Sequence, residues 1–386
     1  MEGDFIRINK WLLPFSWLYG CAVRFRNFLF DVGALKSHSF HTPVISVGNI
    51  TVGGTGKTPH VEYLIKLLKS GASVAVLSRG YKRKSKGFRI GDEQTTVSDI
   101  GDEPYQMLTK HPDITVAVDK DRVHGITKLI NEHENLDVIL LDDAYQHRYV
   151  KPGLNILLVD YHRLIIYDQL LPAGRLREPL KGKDRADIVI VTKCPKELKP
   201  MEFRVITKAM ALYPYQHLYF TTLKYGKLRH LYEYGKERSL SEIDSKEHIL
   251  LLTGIASPQQ LYEDLTPYTS QILPLFFPDH HRFGKKDIQQ INERFEELPS
   301  PKSIITTEKD ATRILSCDGL SDEVRAHIYA LPVEIEFMLD QKESFNENII
   351  GYVRKNSRNS ILVKGKDDHK PQNSHSAGNR PRTISF

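Results

Sequence analysis

Between about residues 43 and 195, short runs of Val, Ile and Leu alternate with longer segments whose apolar residues recur at helical spacing. The runs at 43–47, 73–78, 115–118, 137–141, 154–159 and 188–192 are apolar at consecutive positions rather than at every second one. Strands of that kind are covered on both faces, which predicts a parallel sheet between helical layers with ligands at the carboxyl ends of the strands. A second alternation begins after about residue 215. It predicts strands at 218–222, 248–253, 272–276, 303–307 and 330–335, and helices at 258–264 and 286–298. The simplest account is two α/β lobes, with the charged, glycine-containing stretch 224–247 including a linker between them. The tyrosines in that stretch, Tyr225, Tyr232 and Tyr234, argue against full disorder there.

The two ends break this rhythm. Both tryptophans, Trp11 and Trp17, fall in an aromatic N-terminal segment flanked by Arg7, Lys10, Arg24 and Arg26. Its uncharged stretch is shorter than the roughly 18 residues that a spanning helix requires. Aromatic rings beside cations suit a helix lying in a membrane interface, with anionic headgroups as the partner surface. Beyond about residue 364 the chain is almost devoid of apolar residues, which predicts a disordered tail. With Gly53-Gly54-Thr55-Gly56-Lys57-Thr58 forming a phosphate-cradling loop after the first strand, the expected organisation is an interface helix over 1–40, a P-loop nucleotide-binding domain over 41–215, a second, smaller α/β domain over 216–350 that closes over the site, and a polar tail over 351–386.

Composition narrows the class. At 386 residues, 40% hydrophobic and 26% charged, the chain is that of a globular protein too long for one ordinary core. A net charge of +6 favours acidic partners without choosing among nucleotide, lipid and nucleic acid. Three scattered cysteines, Cys21, Cys194 and Cys317, support neither a disulfide framework nor a zinc site and fit a reducing cytosol.

The chemistry centres on Gly53-Gly54-Thr55-Gly56-Lys57-Thr58, which follows the 43–47 strand and opens a helical pattern. Glycines there let backbone N–H groups turn onto a polyphosphate, Lys57 reaches its terminal phosphates, and the Thr58 hydroxyl is a Mg²⁺ ligand. The general motif has glycine where this chain has Thr51. The run Val138-Ile139-Leu140-Leu141-Asp142-Asp143 supplies the matching carboxylate, so Asp142 or Asp143 holds the metal, and Gln146 and His147 follow closely enough to line the same cleft.

Further polar clusters end other strands, and taken together they carry a resemblance. GN-x-T-x-GGTGKTP, SRGY, GDEP, DD-x-x-QH, LPAG-x-LREP, FPDHH and TEKDA occur in one order, from the N-terminal helix to about residue 340. The chain resembles the tetraacyldisaccharide 4′-kinases, the lipid A 4′-kinases of Gram-negative bacteria, and Thr51 matches that family's variant loop. It departs from the usual pattern at Ala144 and Tyr145, where the family commonly has DDGFQH, and at Arg175, where a proline is common.

The resemblance implies transfer of the ATP γ-phosphate to the 4′-hydroxyl of tetraacyldisaccharide 1-phosphate at the cytoplasmic face of the inner membrane, with ATP and Mg²⁺ required and no nucleic acid partner. It implies that Asp102 and His280 lie near the sugar hydroxyl, His281 being the competing neighbour. It also implies that Arg79, Arg122, Gln146, Arg177 and Glu178 bind the substrate's phosphate and sugar groups, since Arg gives bidentate anion contacts and carboxylates accept from hydroxyls. Lys57 joins the catalytic set through charge neutralisation. The alternative is a membrane-associated P-loop ATPase switch. Such proteins carry a lysine before the glycine pair, and Val52 stands there instead. Thr192-Lys193-Cys194-Pro195 lacks the aspartate of a guanine-reading motif.

Overall fold

A computed structural model describes residues 8–133 and 135–357. The N-terminal helix α1 (Leu13–Asp31) leads into eight strands of one sheet: β1 (Val44–Gly48), β2 (Val74–Ser78), β3 (Arg89–Ile90), β4 (Thr115–Val118), β5 (Val138–Asp142), β6 (Leu154–Asp160), β7 (Ile188–Thr192) and β8 (His217–Tyr225). The helices between them are α2 (Lys57–Leu68), α3 (Val97–Ile100), α4 (Asp102–Lys110), α5 (Arg122–Glu132) and α6 (Pro200–Met210). The second lobe contains β9 (Leu228–His230), β10 (Glu237–Arg238), β11 (His248–Thr253), β12 (Ile272–Phe276), β13 (Lys302–Thr307) and β14 (Ile328–Leu331). Its helices are α7 (Pro258–Leu265), α8 (Lys285–Glu296), α9 (Glu308–Ile314) and α10 (Asp322–His327). The chain then returns to the first lobe as β15 (Val333–Phe337) and α11 (Lys342–Asn356).

The first sheet has the order β15-β8-β7-β6-β1-β5-β2-β4-β3, parallel except at its two edges. Every residue of β1, β2, β5 and β7 is buried, as the unbroken apolar runs require. On one face α2 packs Val61, Leu64, Ile65 and Leu68 against Ile45, Val47 and Leu140, together with Phe345, Ile349 and Val353 of α11. The other face is covered by Ile126 and Leu129 of α5 and by Phe203, Ile206 and Met210 of α6. Strand β1 lies between β5 and β6, while the chain leaving it continues to β2 beyond β5. Strand order therefore reverses at the carboxyl end of β1, where an open α/β sheet forms its crevice.

Three expected boundaries move. The segment 330–335, read as one strand, is two strands in different sheets, divided at Pro332, which has no N–H to continue a ladder. The first lobe accordingly extends to Tyr225 and takes back 333–356, so its expected end at 215 and the expected extent of the second domain to 350 do not hold. The chain crosses between lobes twice, side by side, with Gly226 N–H donating to the Pro332 carbonyl at 2.9 Å. Within 224–247, the expected linker region forms the antiparallel pair β9–β10. The polar tail does not begin at 351, because α11 continues to Asn356 with Val353 fully buried; the remainder of the expected tail, and Arg7, lie outside the described residues.

Candidate functional site

The phosphate loop leaves β1 at Gly48 and ends at Gly56, whose φ of 77° lies in the left-handed region that glycine tolerates without strain. Gly53, with φ of 117°, is a second position whose backbone favours glycine, and at Gly48 a Cβ would lie 2.9 Å from the Tyr145 backbone nitrogen. Thr51 does not: it forms an antiparallel bridge with Leu176. On either side Arg177 N–H donates to the Ile50 carbonyl at 2.7 Å and Val52 N–H to the Arg175 carbonyl at 2.8 Å. The loop is thus zipped onto the LPAG-x-LREP segment, and the missing glycine is explained by extended backbone. Buried Asn49 braces the interior, donating to Thr55 Oγ1 at 2.9 Å. At the helix start, His60 lies between the Gly56 carbonyl and Thr221 Oγ1, at 2.7 and 3.1 Å; burial pushes its pKa down to about 4, so it serves there as a neutral strut.

Lys57, at the first position of α2, points to Asp143 Oδ1 at 3.6 Å. Asp143 itself has φ of 48°, which turns it out of line with β5, while Asp142 remains fully buried and accepts from Ser78 Oγ at 3.1 Å. Asp142 Oδ1 and Asp143 Oδ1 are buried atoms that accept no hydrogen bond among the described residues, Lys57 standing just beyond that distance from Asp143. Burial first, and then the charges of Glu103 and Asp143, push the Asp142 carboxyl upward. Such a carboxylate stays charged only beside a compensating cation. With Thr58 facing the same cavity, this donor set fits Mg²⁺. Among the described residues no three His, Cys, Asp or Glu side chains form a self-sufficient metal cage. Mg²⁺ needs none, because it takes one or two carboxylates and completes its shell with phosphate oxygens and water.

A cavity of about 870 Å³ spreads from the loop. It is lined by Lys57 and Thr58, by Arg79 at the end of β2, by Asp143, Gln146, Arg177 and Glu178, and by Tyr19, Val23 and Arg26 of α1. The second lobe closes the far side with Ala256, Asp279, His280 and Lys309. Arg177 bridges Gln146 Oε1 at 3.2 Å and Asp143 Oδ2 at 3.9 Å, and Glu178 holds Arg185 at 3.0 Å. Arg122 is not at this surface. It is 2% exposed and lies beneath the Asp142 end of β5, donating to the Asp142 and Asp119 carbonyls, so the substrate contact expected of it is corrected to a supporting position. His147 likewise faces inward, with burial lowering its pKa to about 4.

Across the cavity, Asp102 at the start of α4 meets His280 from the other lobe, Nδ1 to Oδ2 at 3.1 Å. His280 has φ of 57°, and Tyr81 packs its ring edge against the imidazole. His281 points elsewhere, stacked on Phe277 and bonded to Asp287 Oδ2 at 3.0 Å. Two residues with no role assigned from sequence complete the group. Arg313 of α9 donates Nε to Asp102 Oδ2 at 2.9 Å, and Lys309 donates to His280 Nε2 at 3.2 Å. The TEKDA motif marked α9, but only the fold shows which of its residues face α4. Burial opposes charge on Asp102, yet the hydrogen bonds from His280 and Arg313 and the guanidinium's charge outweigh it and hold the carboxyl at about 2.

The two departures from the family pattern are accommodated locally. The Tyr145 hydroxyl donates to the Gly182 carbonyl at 2.8 Å with Arg185 over its ring. Arg175 N–H donates to Asp168 Oδ1 at 3.2 Å, a bond that proline would not make.

Helix α1 packs on this region through small and polar groups: Ser16 Oγ accepts from Ala173 N–H, Gly20 admits Leu170, Tyr19 donates to the Arg177 carbonyl, and Arg26 donates to the Gln146 carbonyl. Its other side exposes Phe15, Trp17, Leu18, Phe25 and Phe28, with Trp11 91% exposed just before it. Among the described residues no helix is long and apolar enough to cross a membrane.

Comparison with known proteins agrees with this fold. A family described as tetraacyldisaccharide-1-P 4′-kinase matches residues 8–354. The tetraacyldisaccharide 4′-kinase of Phocaeicola vulgatus is 61% identical over 93% of this chain and 99% of its own length. That of Bacteroides thetaiotaomicron is 55% identical over 96% and 100%. A crystal structure of LpxK from Aquifex aeolicus in complex with ATP superposes with a TM-score of 0.68 at 31% identity, covering 89% of this chain and 98% of that one. With the phosphate loop, its carboxylates and the two-lobed cavity agreeing with a match over nearly the whole chain, the protein belongs to the tetraacyldisaccharide-1-P 4′-kinase family.

Proposed function

We propose that this protein transfers the γ-phosphate of ATP to the 4′-hydroxyl of tetraacyldisaccharide 1-phosphate, working from the cytoplasmic face of the inner membrane with α1 in the interface. The observation that carries the reading is one cavity lined on one side by Lys57 and Thr58 and on the other by His280, which Asp102 holds from behind at 3.1 Å, with α1 at its margin.

Phosphoryl transfer proceeds through a loose transition state, so positioning and charge neutralisation dominate. Backbone N–H groups of residues 53–58 and the Lys57 ammonium hold the phosphates, and Arg79 and Arg177 are placed to take the substrate's anionic groups. Thr58 with Asp143 or Asp142 would hold Mg²⁺, which supplies charge neutralisation across the transferring phosphate.

Lysine has donors only, so the 3.2 Å contact from Lys309 favours a lone pair on His280 Nε2 and a ring proton on Nδ1 directed at Asp102 Oδ2, the longer 3.4 Å approach of Arg313 Nη2 to Nδ1 being the weaker contact. Among the described residues, every hydrogen bond to the Asp102 carboxylate falls on Oδ2. Oδ1 is then the atom that receives the proton of the sugar hydroxyl. A carboxylate held near 2 is a weak base, which suffices when the hydroxyl becomes acidic only as its oxygen bonds to phosphorus.

Tyr19, Val23 and Arg26 on the inner side of α1 meet the cavity while the aromatic side faces away, an arrangement suited to an acceptor whose acyl chains stay in lipid. Purified protein given MgATP and detergent-dispersed tetraacyldisaccharide 1-phosphate is expected to yield the 4′-phosphorylated product. An inert acceptor, together with ATP turnover stimulated by some other partner, would overturn the reading in favour of an ATPase switch.

A further inference from the structure

Helices α4 and α9 face each other across the two lobes, and their facing side chains are charged in matched order. Arg313 meets Asp102, Lys309 meets Glu103 at 3.2 Å, and Glu308 meets Lys110 at 2.8 Å. Lys110 also binds Glu62 of the phosphate-loop helix at 2.7 Å, so the row reaches from the proton-accepting pair back to α2. Exposed pairs of this kind contribute little, but Arg313 is 5% exposed and its contacts are not a simple surface bridge. Its Nε and Nη2 both address Asp102 Oδ2, while Nη1 binds Asp310 Oδ1 at 2.9 Å, and Asp310 is itself held by Thr253, Thr307 and Gly254 N–H.

We propose that Arg313 is a positioning residue for the reaction. Anchored in the second lobe by Asp310, it grips one oxygen of Asp102 in the first lobe, so that the other oxygen faces the acceptor hydroxyl only when the lobes are together. Three features of the geometry support it. The guanidinium shares Oδ2 with His280 Nδ1, so a donor from the same lobe as the histidine fixes the carboxylate's rotation. The anchor is neutralised and fully buried at Asp310, which leaves the fork preorganised rather than free to follow solvent. Lys309, on the same face of α9, takes His280 Nε2 and Glu103, so both members of the pair are set by one helix. Misplacing a reacting group by about 1 Å costs on the order of 10²-fold in rate, which is the scale that such a grip controls.

This inference rests on the kinase reading, and the test keeps the two apart. The wild type is assayed first; if it fails to phosphorylate the acceptor, the kinase reading falls. With an active wild type, Arg313→Gln is expected to lower kcat by about 10²-fold with the KM for ATP nearly unchanged. Arg313→Lys, which keeps the charge but not the fork, is expected to recover part of that loss. In an Asp102→Asn background, Arg313→Gln should cost far less than in the wild type, because the oxygen it orients no longer performs its task. A wild-type kcat in Arg313→Gln, or losses that add fully with Asp102→Asn, would overturn the proposal and assign Arg313 to fold stability. Where Arg313→Gln does not fold, Arg313→Lys decides: reduced kcat at unchanged KM for ATP supports the grip, and wild-type kcat overturns it.

Discussion

The two sides of the cavity are built in opposite ways. The phosphate side comes from one lobe and nearly one stretch of chain: a strand end, a loop with two glycines at positive φ, and the first turn of α2, joined by the adjacent end of β5. The acceptor side is assembled from Asp102 in one lobe and His280, Lys309 and Arg313 in the other, 178 to 211 residues further along. The first is held locally, by a strand buried along its whole length and by the loop's own hydrogen bonds. The second exists only while the lobes meet, and polar contacts rather than a shared hydrophobic cluster hold it together. Binding of nucleotide and delivery of the acceptor proton are therefore separable by mutation.

The sharpest break in that contrast is Lys57→Ala. It removes the cation beside the transferring phosphate and is expected to reduce kcat by 10²-fold or more, on the order of the loss of a preorganised electrostatic donor, and to weaken ATP binding as well. On the opposite side, Asp102→Asn and His280→Ala are expected to lower kcat by about 10²-fold, as for removal of a proton acceptor or its orienting partner, while leaving ATP affinity near wild type by calorimetry. His281→Ala is the internal control. Its imidazole is committed to Phe277 and Asp287, so it should cost about 1 kcal/mol of stability in a denaturant titration and little in turnover. Equal catalytic losses at 280 and 281 would erase the distinction drawn between them. The smallest effect in a detergent assay is expected from Trp17→Glu with Phe25→Glu. These side chains point away from the protein, so cosedimentation with anionic vesicles should fall while turnover on detergent-dispersed acceptor persists.

What could be read from the chain follows the same division. Lys57, Thr58 and the Asp142-Asp143 pair were legible because a strand, a glycine loop and a helix start leave their signature within a dozen residues, and an apolar run ending in acid is equally compact. Asp102 and His280 were reached only through a resemblance, since nothing in their local patterns directs one toward the other. Arg313 left no signal, because an arginine on a short helix reads as a solvated charge until the facing helix is known. Arg122 erred in the other direction: its side chain supports β5 from beneath, and spacing along the sequence does not say on which side of a sheet end a helix start will lie. The run 330–335 misled because β propensity is continuous across it, while the missing N–H of Pro332 and the neighbouring crossing at Gly226 divide it between two sheets.

The order of apolar and polar residues by itself determined a parallel, doubly covered sheet with a phosphate loop at the end of β1, because burial on both faces and the conformational demands of glycine act over a few residues at a time. Only the tertiary structure decided that β8, β15 and α11 return to the first lobe, that His280 rather than His281 faces Asp102, and that α9 sets both members of that pair. Those outcomes depend on how two lobes meet across a twice-crossed connection, and contacts between residues some two hundred positions apart are fixed by packing rather than by any local pattern.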